Sequence, residues 1–421
     1  MGLRLVLADH RIERTDLDLF DEGIVLPPPS EVDRALAVVL RAARTRRFDA
    51  LLAQTEDALL LGSLVARELG LPGPSPESAW LSVDKHASRR TLAAAGLCVP
   101  AFALARNGSD VRRFAQEHGY PVVLKAPASA LSRLVQVVTA PEEAEPAVAR
   151  MLAGLPRSTD IARLEAFERA GGPAPSCDAR REFLVESFAR GVPLETDGVL
   201  QHGRALTYGV TEQVLSSDPR FYFEGYLFPA DLDETAEHRI LAASTAALAA
   251  LGLDATGFSI EFRWHEGRAT IIEVNGRLGW DEGFGNLFAV RTGSQPLLDA
   301  LQIALGMPVG LPSRTRSPRA ALAYRSCYEE RVATRLPRRS ELERRAGPNL
   351  EFGLCCAEGS RFHAPPDPRA FPHVAFALAK DPSSSRSAYA RARAAVDALP
   401  IELAPAAEAR AVLSAASVSP S

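Results

Sequence analysis

Two glutamates stand twelve residues apart in apolar surroundings, Ile260-Glu261-Phe262 and Ile272-Glu273-Val274, and the second is followed by Asn275 and Arg277. The flanking pattern predicts two strands, Phe258 to Trp264 and Ala269 to Val274, joined by His265-Glu266-Gly267, so both carboxylates enter largely buried strands. Two like charges brought together there would push up one pKa or cost several kcal/mol. A divalent cation between them removes the conflict: Mg²⁺ takes one or two protein carboxylates and fills its octahedron with phosphate oxygens and water. Asn275 adds a neutral oxygen, and Arg277 offers a fork that can hold a transferring phosphate. The competing reading leaves both acids on the solvent faces of an antiparallel hairpin.

Of 48 basic residues only three are lysine, Lys85, Lys125 and Lys380. In so arginine-rich a chain, a retained lysine points to a place that needs a compact point charge rather than a planar fork. Lys85 and Lys125 are therefore candidates for phosphate contact.

These residues need elements to position them. Arg4 to Ala8 and Ala50 to Ala53 read as strands. Glu31 to Arg46, Ala58 to Leu69 and Asp84 to Ala95 read as helices, an alternation that implies a parallel sheet covered by helices. A different texture follows: short strands at Pro121 to Ala126, Leu134 to Thr139 and Phe183 to Phe188, with Leu155 to Arg181 as a mobile connection between them. Gly198 to Gly209 reads as a hairpin turning near His202-Gly203, Thr235 to Leu251 and Gln295 to Leu305 as helices, and Pro308 to Arg319 as a linker.

The 421 residues, 47% hydrophobic and 24% charged, suit a globular chain of several cores. A net charge of −4 gives no basic field for nucleic acid or anionic lipid, and no apolar run reaches a membrane span. Five scattered cysteines and eight histidines show neither CxxC nor HExxH spacing. A cytoplasmic location with reduced thiols is the expectation.

Taken in order, Lys85, Lys125, Glu186, Glu261 and Glu273-Val-Asn-Gly-Arg277 resemble the ATP-grasp superfamily of carboxylate–amine ligases, over roughly residues 50 to 310. The resemblance implies an α/β and α+β chain: an N-terminal Rossmann-like parallel-sheet domain (1–97), a small ATP-grasp lid subdomain (98–189), a catalytic and metal subdomain (190–310), a small C-terminal α+β domain (311–404) and a flexible tail (405–421). It implies ATP and Mg²⁺ as cofactors, with Mn²⁺ able to replace Mg²⁺, and an acyl phosphate attacked by an amine. Lys85 and Lys125 would contact the phosphates, and Glu186, Ser187 and Phe188 would line the adenine. Glu261, Glu273 and Asn275 would bind the metal, and Arg277 would steady the acyl phosphate. Small-molecule carboxylate and amine substrates are the implied partners, with no nucleic acid or membrane, and a homodimer is the usual assembly.

Within the superfamily, Phe221-Tyr-Phe-Glu-Gly-Tyr-Leu-Phe-Pro229, Asn275-Gly-Arg-Leu-Gly279 and the C-terminal Pro372-His-Val-Ala-Phe-Ala377 resemble segments of the dipeptide-forming L-amino-acid ligases. Four departures stand beside that likeness. The phosphate loop, Ala126 to Arg133, lacks glycine and leaves Ser129, Ser132 and Arg133 as contacts. Pro193 replaces a ribose-holding glutamate, for which Glu195 or Asp197 could stand in. Tyr226 replaces a histidine, and Trp280-Asp281-Glu282 replaces a run of small residues. Glu224, Trp280, Asp281 and Glu282 are thus candidates for the substrate pocket, the acids for a substrate ammonium. Two alternatives stay open: another ATP-grasp reaction, such as a carboxylation or purine-pathway step, and a nucleotide-binding protein without turnover.

Overall fold

The structure is a computed structural model that describes residues 2–13, 18–130, 132–218, 221–279, 281–310, 318–365, 367 and 369–409. The chain opens with β1 (Val6–Asp9) and β2 (Glu22–Val25), which pair in parallel, followed by α1 (Val32–Ala43) and α2 (Glu56–Leu69). The expected strand at Ala50 to Ala53 does not form, and β2 takes its place beside β1. The reason is local packing. Ala53 lies against Gly62 of α2 so closely that a Cβ there would approach it to 2.7 Å, so this apolar segment is held by a helix rather than by a ladder.

Next come α3 (Pro76–Val83) and α4 (Lys85–Ala94). Asp84 caps α4 by accepting from the Ala87 N–H at 2.9 Å, which fixes Lys85 as the first helical residue. The sheet of β3 (Phe102–Ala105), β4 (Val122–Lys125), β5 (Val135–Val138) and β6 (Phe183–Ser187) runs in the order β3-β6-β4-β5. It is flanked by α5 (Gly108–His118), α6 (Ala144–Gly154) and α7 (Thr159–Arg169). Residues 155–181, expected to be a mobile connection, instead contain α7. The apolar spacing Ile161, Leu164, Phe167 buries one helical face, and Ser158 caps it.

The largest sheet is assembled from β7 (Val192–Gln201), β8 (Arg204–Leu215), β9 (Phe223–Phe228), β10 (Thr256–His265), β11 (Arg268–Asn275), β12 (Arg319–Ser326), β14 (Leu350–Leu354) and β16 (His373–Asp381). Its order is β11-β10-β7-β8-β9-β12-β16-β14, so strands on both sides of residue 310 share one sheet. β13 (Arg331–Arg335), β15 (Arg361–Phe362) and β17 (Glu402–Ala404) form a third sheet. The remaining helices are α8 (Glu234–Ala250), α9 (Phe284–Thr292), α10 (Pro296–Ala304), α11 (Arg339–Arg345) and α12 (Ser385–Asp397). Much of the expected linker, residues 311–317, and most of the tail lie outside the described residues. No helix among the described residues is long and apolar enough to cross a membrane.

Period-two alternation on β10 divides its side chains between two environments. Phe258, Ile260 and Phe262 are buried with Ile240, Ala247 and Leu248 of α8. Ser259, Glu261 and Arg263 alternate with them and line a cavity.

Candidate functional site

That cavity, about 460 Å³, is lined from both large sheets: Val123, Lys125, Val135 and Glu186 on one side, Glu195, Gln213, Glu261 and Glu273 on the other. Glu261 and Glu273 are directly opposite in the β10–β11 ladder, and Ser259 faces Asn275. On the other flank of β10, Glu261 faces Glu195 and Ser259 faces Asp197. The register therefore lays three carboxylates in a row across adjacent strands.

Each acid meets a different environment. Lys85 reaches from the start of α4 to an ion pair with Glu273, whose carboxyl is held below its usual range: burial pushes it up, but the neighbouring lysine more than compensates. Glu186, 1% exposed, is gripped by Lys125 at 2.8 Å and by Arg89 at 2.8 Å. Burial alone would raise its pKa, and the two cations bring it down to about 2. Glu261 makes no hydrogen bond or ion pair among the described residues, and burial together with Glu273 and Glu195 pushes it up to about 8. Glu195 accepts from Ser259 at 2.6 Å and Gln213 at 2.9 Å. Asp197 accepts from the Gly279 N–H at 3.0 Å. Burial raises both pKa values, Asp197 the more strongly. Of these two candidates for the ribose, only Glu195 lines the cavity.

The donor set suits Mg²⁺. A carboxylate without a partner, a second opposite it and the buried Asn275 amide are hard oxygen ligands on facing positions. No three His, Cys, Asp or Glu converge as a metal site among the described residues, so a cation held by Glu261 and Glu273 would need Asn275 and non-protein oxygens to fill its shell.

Around this row the other expected residues divide. Arg277 pairs with Glu56 at the start of α2 and donates to the Leu278 carbonyl at 2.9 Å. Ser187 and Phe188 line the cavity. Ser132 lines it too, donating to the Phe221 carbonyl at 3.3 Å, and so does Arg133, tied to Asp160 at 3.1 Å. In the glycine-free loop, Ser132 (φ 55°) and Leu134 (φ 52°) take left-handed backbone that glycine adopts without strain. Asp281 accepts a hydrogen bond from the Tyr226 hydroxyl, and Glu282 lies beside it in the wall. Glu224 is not brought in. A bulge shifts the β8–β9 register there, setting Phe223 and Tyr226 in the wall while Tyr328 donates to the Glu224 carboxylate at 3.5 Å. Trp280 lies outside the described residues.

A family model of the ATP-grasp domain matches residues 118–282. The chain carries an ATP-grasp domain. Its fold resembles that of an L-amino acid ligase from Bacillus licheniformis with a TM-score of 0.75 at 19% identity, covering 96% of this chain and 93% of the other. Among curated proteins, y4rH of Sinorhizobium fredii is 30% identical over 62% of this chain and 50% of its own length. Human carnosine synthase 1 is 25% identical over 68% of this chain and 34% of its own length. The chain thus spans half or less of the length of these two relatives.

Sequence reasoning missed several residues that line the cavity or, like Arg89, hold a lining residue from behind. Arg89 lies four residues after Lys85 on α4 and so shares its face, and Arg263 lies two after Glu261 on an alternating strand. Both were legible from spacing. Glu56, which meets Arg277 across 221 residues, and Phe371, from the C-terminal segment, had no local signal.

Proposed function

We propose that the protein is an ATP- and Mg²⁺-dependent ligase of the cytoplasm that joins a carboxylate, that of an amino acid, to an amine. The observation that carries this reading is Glu261, without a partner among the described residues, opposite Glu273 in a cavity that two lysines enter from α4 and β4. The names of relatives, an L-amino acid ligase and a carnosine synthase, support amide formation between amino acids.

Bound at Glu261, Glu273 and Asn275, Mg²⁺ would neutralise phosphate charge as it moves. Lys85 and Lys125 would hold the nucleotide's phosphates. The substrate carboxylate attacks the γ-phosphorus, the bond to the β-phosphate oxygen breaks, and ADP leaves. The amine nitrogen then attacks the acyl carbon, phosphate departs with the C–O electron pair, and the nitrogen loses its extra proton. Arg277 would stabilise the oxyanion of that second step, and Asp281 and Glu282 would hold a substrate ammonium.

A second reading, nucleotide binding without turnover, is favoured by the phosphate loop, where the left-handed positions at 132 and 134 lack glycine. One assay separates the two: ADP and phosphate release from Mg·ATP across amino acids, singly and in pairs. Pair-dependent release that falls at least ~100-fold in Glu273→Gln and in Arg277→Ala supports the ligase. Binding of ATP without release for any pair supports the second.

A further inference from the structure

The loop from Ala126 to Arg133 has no glycine, yet it is tied down along its length. Ala126 and Ala128 are fully buried, and the Pro127 carbonyl accepts from the Lys85 N–H at 2.8 Å. The Ala126 N–H reaches the Leu134 carbonyl at 3.3 Å, and the Arg133 N–H reaches the Ala130 carbonyl at 3.0 Å. Left-handed backbone at Ser132 and Leu134 persists only where the surroundings over-determine it. Part of that hold comes from outside the loop. Asp160, buried in the first turn of α7, accepts from the Ala130 N–H at 3.4 Å and from the Arg133 guanidinium at 3.2 Å. One carboxylate thus grips both the backbone and a side chain of the loop.

Asp160 is itself supported from behind. Arg163, buried one turn along α7, pairs with it at 3.3 Å and also with Asp57 in the first turn of α2, which packs on α7. Signs alternate along Arg133, Asp160, Arg163 and Asp57, so each buried charge has a partner. At the front of this chain the nitrogens of Arg133 are divided. Nε donates to the Ala130 carbonyl at 3.1 Å and Nη2 to Asp160, while Nη1 makes no hydrogen bond among the described residues. The residue lines the cavity. A planar fork fixed at two nitrogens has only the third to offer a ligand oxygen.

We infer that Asp160 is a positioning residue that presets the phosphate loop. Its side-chain tether supplies the shape that glycine would supply by conformational freedom, and it aims Nη1 of Arg133 at the nucleotide's phosphates. The cost of ordering the loop then falls on folding and not on binding. This rests on the ligase reading only in taking a nucleoside triphosphate as ligand.

The test is calorimetric titration of the full chain with Mg·ATP and with adenosine, as wild type, Asp160→Asn, Arg133→Ala and the double variant. Asparagine keeps an acceptor for the Ala130 N–H and loses the charge that holds Arg133. Asp160→Asn should weaken Mg·ATP by about ten-fold and adenosine by less than about two-fold. Arg133→Ala should do the same, and adding Asp160→Asn to it should weaken Mg·ATP by less than a further two-fold or so, because the aspartate acts through the arginine. Asp160→Glu, which keeps the charge, should recover part of the loss. An equal loss for adenosine, or losses that multiply in the double variant, would reduce Asp160 to a support of the fold and overturn the inference. Mg·ATP affinity that is undiminished or tighter in Asp160→Asn would overturn it too, by showing that the carboxylate only competes with phosphate. If Asp160→Asn does not fold, hydrogen exchange of the wild type decides. The amides of Ala126, Ala130 and Arg133 should exchange at least about ten-fold more slowly than in an unstructured chain before any nucleotide is added, and exchange at the unstructured rate would overturn the inference. A wild-type chain that binds no Mg·ATP overturns this inference and the ligase reading together, whereas the other adverse results leave the ligase reading standing.

Discussion

The two ends of the cavity handle charge in opposite ways. At the end formed by α4, β4 and β11, acids and cations are matched: Glu186 with Lys125 and Arg89, Glu273 with Lys85, and Arg277 with Glu56. At the end formed by β7, β9 and the segment after Gly279, Glu195, Asp281 and Glu282 have no lysine or arginine partner among the described residues. They are met instead by Ser259 and Gln213, by Tyr226, and by His373 at 4.0 Å. Aromatic rings fill the rest of that end, with Tyr226 4.4 Å from Phe284 and 5.5 Å from Phe223 between centroids. The matched end holds its groups in place before any ligand arrives. The unmatched end has negative charge to spare, which suits a substrate that brings its own cation.

The sharpest way to break that comparison is to unmatch the first end. Glu186→Gln strands Lys125 and Arg89 with no buried counter-charge, and should destabilise the chain by about 3 kcal/mol. Denaturant unfolding would measure this. The same contribution depends on pH. Because Glu186 is held down to about 2, it stabilises the fold above the ordinary glutamate range, and the stabilisation is lost as pH falls from there through about 2. Glu186→Gln should therefore flatten the acid limb of the stability curve. A variant as stable as the wild type would show that the pairing is incidental.

Asp281→Asn does the reverse at the other end. No ion pair is lost and an acceptor oxygen remains for Tyr226, so stability should stay within about 1 kcal/mol. The effect should fall on the substrate: KM for the ammonium-bearing partner rises by about ten-fold while KM for ATP is unchanged. Steady-state kinetics with each substrate varied in turn distinguishes the cases. A change in the ATP constant alone would move Asp281 to the nucleotide and erase the contrast.

The same division marks what could be read beforehand. Glu261, Glu273, Asn275 and Arg277 lie within seventeen residues and were legible from their types and spacing, although it takes a bulge after Glu261 to set the two acids directly opposite each other. The lysines stood out by rarity. The unmatched end is different, because Tyr226, Asp281 and His373 come from segments far apart in the chain, and only the completed sheet assembles them. Glu224 shows how local reasoning fails there: a bulge, invisible in its composition, carries the carboxylate to Tyr328. Ala50 to Ala53 failed in the fold for a similar reason, since an apolar run can satisfy itself against a helix as well as in a sheet.

The smallest expected effect is the coupling between Tyr226 and Asp281, and it sharpens the comparison most finely. Tyr226→Phe keeps the ring that packs on Phe284 and removes only the hydroxyl that donates to Asp281. One hydrogen bond to a charged group is at stake, so stability should fall by about 1 to 2 kcal/mol, less than for Glu186→Gln. In Asp281→Asn the same deletion removes only a neutral hydrogen bond, and its cost should shrink to about 1 kcal/mol. The double-mutant cycle over Tyr226 and Asp281 thus reports how much of the contact depends on the charge. A coupling near zero would mean that the aspartate is held by the fold and not by tyrosine. A coupling as large as the whole Glu186 effect would mean that this end too is a matched pair, with a phenol hydroxyl in place of the cation.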